Sequence, residues 1–364
     1  MDSNSLKENR ILVKTIFKEK FIADLIEKNI KSFFFALSIY PSLFSNPDIN
    51  LSKAYIYLNK FIKTEIKNIH KINAKYFRYP EENVKSGKIN PIWPHNVHNY
   101  SLLSKKAAEI VLLFTRNKSY LGKTISADNP NLNKMVDEER PQAPFSIATS
   151  PKISKILLNL GTIKENGVVL DCFCGSGTIL MMAFLQKIDF FGTDISHDRV
   201  EMSRKNLTWI SKKLNLKPPD TEKRIFQLDA RKLTSFFKPD SIDAIITEPY
   251  LGPTYRKSPK QSECEDLIQN TLNPLYKKVF EQISVVLRKN GRVALTTPIF
   301  LLKNKEEFAF QIKEILEKEK FKRINLLPKK IFVNYRPKNV NTKHISIKKR
   351  KKYVFRRINV LEKI

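Results

Sequence analysis

Asp171-Cys172-Phe173-Cys174-Gly175-Ser176-Gly177-Thr178 separates the apolar run Val168-Val169-Leu170 from the helix-forming run Ile179-Leu180-Met181-Met182-Ala183-Phe184-Leu185. A strand that enters a glycine turn and leaves as a helix can bring backbone close to a ligand. The helix start also offers free N–H groups to a carboxylate or phosphate. The chain has only 9 glycines in 364 residues, and five of them fall between 161 and 192. Each of these scarce glycines is therefore expected to serve the backbone.

Outward from this loop, short β-rich runs alternate with helical stretches over 165–300, the signature of a parallel α/β sheet. The reading gives strands at 168–171, 190–194, 224–229, 242–247 and 292–297. Helices are read at 178–185, 200–214, about 265–288 and about 304–319, ahead of a basic final hairpin. In the N-terminal part, Ile11–Ile30 and Leu51–Ile69 have helical spacing. The run Ser32–Phe44, only 13 residues long and broken by Ser, Tyr and Pro, is too short to span a bilayer and is expected in the core or on a helix face. Ala107–Leu113 and Ser119–Ile125 read as two strands that close an N-terminal domain. The polar stretch 128–147 reads as a linker. The domain organisation expected is thus 1–127 as an α+β domain, the linker, and an α/β domain over 148–364.

The net charge is +30, from 66 Lys plus Arg against 36 Asp plus Glu. It calls for a polyanionic partner. Residues 151–200 carry five basic and five acidic residues, whereas 301–364 carry 20 basic and six acidic. Within that tail, Lys348, Lys349, Arg350, Lys351, Lys352, Arg356 and Arg357 surround Tyr353 and Phe355, a pattern suited to binding nucleic acid. The polar start has no leader-like apolar segment, so a cytoplasmic protein with no membrane partner is expected. Three cysteines exclude a disulfide scaffold. Cys172 and Cys174 lack a second pair for zinc, and His95 with His98 reads as structural, so no metal is expected.

What the loop holds follows from its neighbours. A P-loop needs Gly-Lys-Ser/Thr, and here Thr178-Ile179 follow Gly177. Dinucleotide binding and S-adenosylmethionine binding share the layout, but an acidic residue that opens the loop, Asp171, points to S-adenosylmethionine. Asp194, followed by Ile195, ends the second strand, where a carboxylate can accept ribose hydroxyls. Asp229-Ala230 ends the third, placed for an adenine amine. The expected cofactor set is Asp171, Phe173, Cys174, Gly175, Ser176, Gly177, Asp194, Ile195, Asp229 and Ala230.

The fourth strand runs into Glu248-Pro249-Tyr250-Leu251-Gly252-Pro253. With the loop, this run resembles the Asp-Pro-Pro-Tyr motif of class I S-adenosylmethionine-dependent amino methyltransferases, in the variant of tRNA guanine-N2-methyltransferase-like proteins. Gly122–Ile125, Arg140-Pro141 and Ser150–Ser154 resemble the segment that joins a THUMP-type RNA-binding domain to the catalytic domain in that family. The resemblance covers about 115–300. It implies a Rossmann-like fold with a mostly parallel sheet and an antiparallel last strand. It also implies a THUMP-like N-terminal domain, and methyl transfer to an exocyclic amine of RNA, with guanine-N2 of tRNA foremost. By the same resemblance Glu248 and the Pro249 carbonyl accept the amine hydrogens and Tyr250 stacks on the base, with Leu251 and Gly252 beside it. Glu stands where the family has Asp, and without a gap Tyr250 takes the second proline's place and Leu251 the aromatic's. A DNA amino methyltransferase acting on adenine-N6 or cytosine-N4 is the alternative. The short span from Asp171 to Glu248 leaves no room for an inserted DNA-recognition domain. A small activator subunit, needed by some eukaryotic relatives, is left open as a partner beside RNA.

Overall fold

The computed structural model describes residues 24–26, 30–40, 51–85, 91–114, 119–142, 149–326, 345–347 and 353–364. Most of Ile11–Ile30, and Lys348, Lys349, Arg350, Lys351 and Lys352, lie outside these residues. The chain divides into two units, Met1–Leu132 and Asn133–Ile364.

In the first unit, β1 (Ser32–Tyr40), β2 (Asn73–Tyr76), β3 (Ala107–Phe114) and β4 (Ser119–Lys123) form a sheet in the order β2-β1-β3-β4. β1 is parallel to β2 and β3, and β4 is antiparallel to β3. The apolar run at 32–40 is thus an inner strand. Its alternate residues Phe33, Phe35, Leu37 and Ile39 share one core with Tyr55, Leu58, Ile62 and Ile66 of the helix Leu51–His70.

The second unit is built on β5 (Val168–Asp171), β6 (Asp189–Asp194), β7 (Ile225–Gln227), β8 (Ile242–Thr247), β9 (Leu287–Leu301), β10 (Glu307–Ala309), β11 (Phe321–Arg323), β12 (Ile345–Ile347) and β13 (Val354–Lys363). The main sheet runs β11-β13-β9-β8-β5-β6-β7. Strands β5 to β9 pair in parallel, and β13 runs antiparallel to β9, β11 and β12. This is the Rossmann-like sheet with an antiparallel last strand that the motifs imply. The apolar runs of β5 and β8 are nearly continuous because both faces of the sheet are covered. The helix Thr178–Leu185 covers one face, and residues 178 to 183 of it are all buried.

Three differences from the sequence reading have local causes. The helix expected at 304–319 starts only at Lys313. Ahead of it β9 turns back into β10, the Asn304 Oδ1 accepts from the Glu306 N–H, and Lys305 sits at φ +67°. The helix expected at 265–288 begins at Gln261 and passes through a π-type turn at Ile268–Leu272 before Asn273–Val286. Finally, the stretch read as linker is folded in part. Arg140 is buried and its Nη1 donates to the Thr178 Oγ1 at 2.5 Å. The Gln142 backbone exchanges hydrogen bonds with the Asn206 side chain at 3.1 and 2.8 Å.

Candidate active site

Strands β5, β6 and β8 end on one edge of the sheet, where ligands bind in open α/β folds. A cleft of about 430 Å³ opens there. The glycine loop forms one wall and Glu248–Tyr255 another, and Ile347, Tyr353, Val354 and Arg356 of the last hairpin close it.

The loop's geometry explains its glycines. Gly175 and Gly177 sit at φ +52° and +80°, a left-handed region costly for other residues. A Cβ at Gly177 would drive into Ser203 of the helix His197–Lys213. One carboxylate steadies the turn. Asp194 accepts the Gly175 N–H on Oδ2 and the Ser196 N–H on Oδ1, both at 3.0 Å.

Asp171 is buried. Its Oδ1 accepts both the Thr247 hydroxyl at 2.7 Å and the Phe173 N–H at 3.2 Å. No described residue bonds its Oδ2. Burial pushes the Asp171 carboxyl up to about 7, helped by the charges of Asp194 and Glu248 and opposed by its two hydrogen bonds. These features fit a cationic ligand. A second carboxylate lies close by, one oxygen of Asp171 is uncommitted, and the net-neutral 151–200 stretch holds both. Arg199 also lines the cleft.

Glu248 follows β8 and is mostly buried. Arg356 of β13 grips it with Nε to Oε2 at 2.6 Å and Nη2 to Oε1 at 2.7 Å. The Thr296 hydroxyl adds a bond to Oε2 at 3.1 Å. Tyr250 is 45% exposed beside the cleft, and its backbone carbonyl accepts from the buried Tyr276 hydroxyl at 3.4 Å. Gly252 sits at φ +104°.

Of the expected site residues, the cleft gathers Asp171, Phe173, Cys174, Gly175, Ser176, Asp194, Glu248, Pro249, Tyr250, Leu251, Gly252 and Arg356. Gly177, Ile195, Asp229, Ala230 and Arg357 are not in its walls. Gly177 supports the turn from behind. The Asp229 carboxylate is taken by Arg231 through Nε and Nη2, at 3.0 and 2.6 Å, and caps the short helix Ala230–Ser235. Bonding to Arg231 holds it below the usual carboxylate range. Ala230 is packed in the core, and Ile195 is largely exposed. Arg357 falls on the opposite face of β13 from Arg356, because side chains alternate along a strand. Burial and the nearby Arg323 lower its pKa. The sequence reading missed Thr149, Arg199, Tyr255 and Tyr353 as lining residues, and missed that Arg356 pairs with Glu248. The thiols of Cys172 and Cys174 are buried and pushed up by desolvation, as packing residues would be. Among the described residues no group of three or more His, Cys, Asp or Glu could hold a metal. No helix among them is long and apolar enough to cross a membrane.

A methyltransferase-domain family model matches residues 163–356, which spans the glycine loop and the Glu-Pro-Tyr turn and ends at Arg356, near the start of the last strand. The chain belongs to this methyltransferase family. A DNA methylase model matches 4–205, a stretch that includes the loop and stops before Glu248. Among curated proteins, a tRNA (guanine(10)-N2)-dimethyltransferase of Methanothermobacter thermautotrophicus is 28% identical over 45% of this chain and 43% of its own length. The tRNA (guanine(10)-N2)-dimethyltransferase of Methanocaldococcus jannaschii is 25% identical over 80% of this chain and 75% of its own. The chain therefore spans less than half of one relative and three quarters of the other. Among solved structures, TrmN from Thermus thermophilus is 17% identical with a TM-score of 0.42, over 95% of this chain and 77% of that one.

Proposed function

We propose that this methyltransferase transfers a methyl group from S-adenosylmethionine to the exocyclic N2 of a guanine in tRNA. The observation that carries the reading is the Glu248-Pro249-Tyr250 turn facing the glycine loop across one cleft. Two relatives named for this reaction on guanine 10 support the choice of substrate.

S-adenosylmethionine, when bound, supplies an electrophilic methyl on a sulfonium. The chain's own groups do the rest. Asp171 offers Oδ2 to an ammonium. Asp194 uses one acceptor site on each oxygen for its own loop and keeps others for ribose hydroxyls. An aromatic amine is a weak nucleophile because its lone pair is spread into the ring. Glu248 and the Pro249 carbonyl accept its hydrogens and aim that lone pair in line with the methyl. Methyl transfer would leave the nitrogen with one proton to lose, and Glu248, which accepts that N–H, would take it up. Tyr250 stacks on the extruded base.

The finer organisation belongs to the same proposal. Residues 1–127 act as a THUMP-like RNA-binding domain, and the basic tail Lys348–Lys352 holds phosphates. Replacing Glu248 with Ala should abolish transfer while binding of S-adenosylhomocysteine persists. Loss of that binding would remove Glu248 from the proposed role. The match to a DNA methylase model favours a second reading, amine methylation in DNA, and the same assay with duplex DNA decides it.

A further inference from the structure

The last hairpin enters the cleft, and its contribution there is specific. Arg356 and Glu248 are 108 residues apart in sequence and form a fork-to-fork pair, with side chains only 17% and 10% exposed. An ionised carboxylate has about four acceptor sites. Nε of Arg356 and the Thr296 hydroxyl use both sites of Oε2, and Nη2 of Arg356 uses one of Oε1. One acceptor remains, on Oε1. Glu has one more rotatable bond than Asp, so an unheld Glu248 would sample several rotamers beside Asp171.

We infer that Arg356 is a positioning residue that fixes the Glu248 rotamer and leaves Oε1 as the Glu248 oxygen open to the substrate amine. This rests on the proposed reaction for its substrate, though not for the geometry of the pair. The guanidinium suits the task because its planar fork fixes both oxygens at once, which the point charge of a lysine does not. Ile347, Tyr353 and Val354 line the same cleft, so the hairpin that carries the basic run also forms a wall of the active site. Arg356 thereby acts on the reaction through Glu248, in contrast to the phosphate-binding role that the tail's charge suggested.

The test compares wild type with Arg356→Lys, Arg356→Met and Glu248→Asp on tRNA, with S-adenosylhomocysteine affinity measured by calorimetry. A carboxylate displaced by about 1 Å costs roughly 100-fold in rate. Arg356→Met should therefore lose about that much kcat while the KM for tRNA and the cofactor affinity stay within about threefold. Arg356→Lys should recover only part of the loss, and Glu248→Asp, too short to reach the fork, should resemble Arg356→Met. An unchanged kcat, or a raised KM for tRNA alone, would overturn the inference. A crystal structure of Arg356→Met reads the same point without turnover. Glu248 in new or multiple rotamers supports the inference, and Glu248 unmoved refutes it. Arg356→Lys decides by the same two readouts where the Met variant does not fold. Absence of turnover in wild type would refute the proposed substrate and leave the crystallographic arm to judge the pair.

Discussion

Gly175 and Gly177 both hold positive φ, yet their replacements by Ala should fail in different ways. The left-handed backbone costs about 1–2 kcal/mol for any other residue, and this applies to both positions. Ala also narrows the unfolded ensemble equally at both, so these contributions cancel in the comparison. At Gly175 the added Cβ meets only the Phe173 carbonyl oxygen, at 3.9 Å. At Gly177 it comes within 3.1 Å of the Ser203 Cα and 3.2 Å of its Cβ, with the Ser203 hydroxyl nearer still. A backbone atom cannot step aside as a side chain can, so the helix His197–Lys213 must shift, at about 1–3 kcal/mol of overpacking. Gly177→Ala should thus be less stable than Gly175→Ala by about 1–3 kcal/mol, or about 2–12 °C in Tm for a unit of this size. Trp209 lies on the displaced helix, and the exposed Trp93 belongs to the other unit. Thermal unfolding followed by Trp209 fluorescence in a Trp93→Phe background reads the difference. Gly175→Ala should in turn lose cofactor affinity with its fold intact, because its methyl enters the cleft. A Gly177→Ala protein as stable as Gly175→Ala would refute this account of the turn.

Other perturbations test the charges. With Asp171 raised to about 7 in the folded protein, the folded state binds a proton that the unfolded state releases near 4. Ligand-free stability should therefore fall as pH rises from about 4 to about 7, by about 4 kcal/mol over three units. Asp171→Asn keeps an acceptor for Thr247 and Phe173 and should flatten that slope; urea midpoints at pH 5 and 8 measure it, and a slope parallel to wild type would count against the buried carboxyl. Replacing Lys348, Lys349, Arg350, Lys351 and Lys352 with Ser should weaken RNA binding and lower the slope of log affinity against log salt by about 0.7–0.9 per lost phosphate contact. An unchanged slope would mean that these charges meet no phosphate.

The sequence was most legible where local chemistry decides structure. The glycine turn, the apolar strand before it, the helix after it and the Glu-Pro-Tyr turn all lie where the spacing put them, because each is specified by residues within a few positions. What depends on distant partners was not legible. Asp229 carries the same end-of-strand signal as Asp194, yet Arg231, two residues on, consumes its carboxylate. Arg356 and Arg357 are equivalent as sequence, and only the pairing of β13 with β9 decides which one reaches Glu248. The helix expected at 304–319 failed because Asn304 closes a tight turn that apolar periodicity does not register.

The central claim is the identity of the methylated atom. Purified protein with methyl-labelled S-adenosylmethionine should be offered total tRNA, ribosomal RNA and duplex DNA, followed by digestion to nucleosides. The account predicts label in N2-methylated guanosine from tRNA, and none from the Glu248→Ala protein. Label confined to N6-methyladenine or N4-methylcytosine of DNA would contradict it.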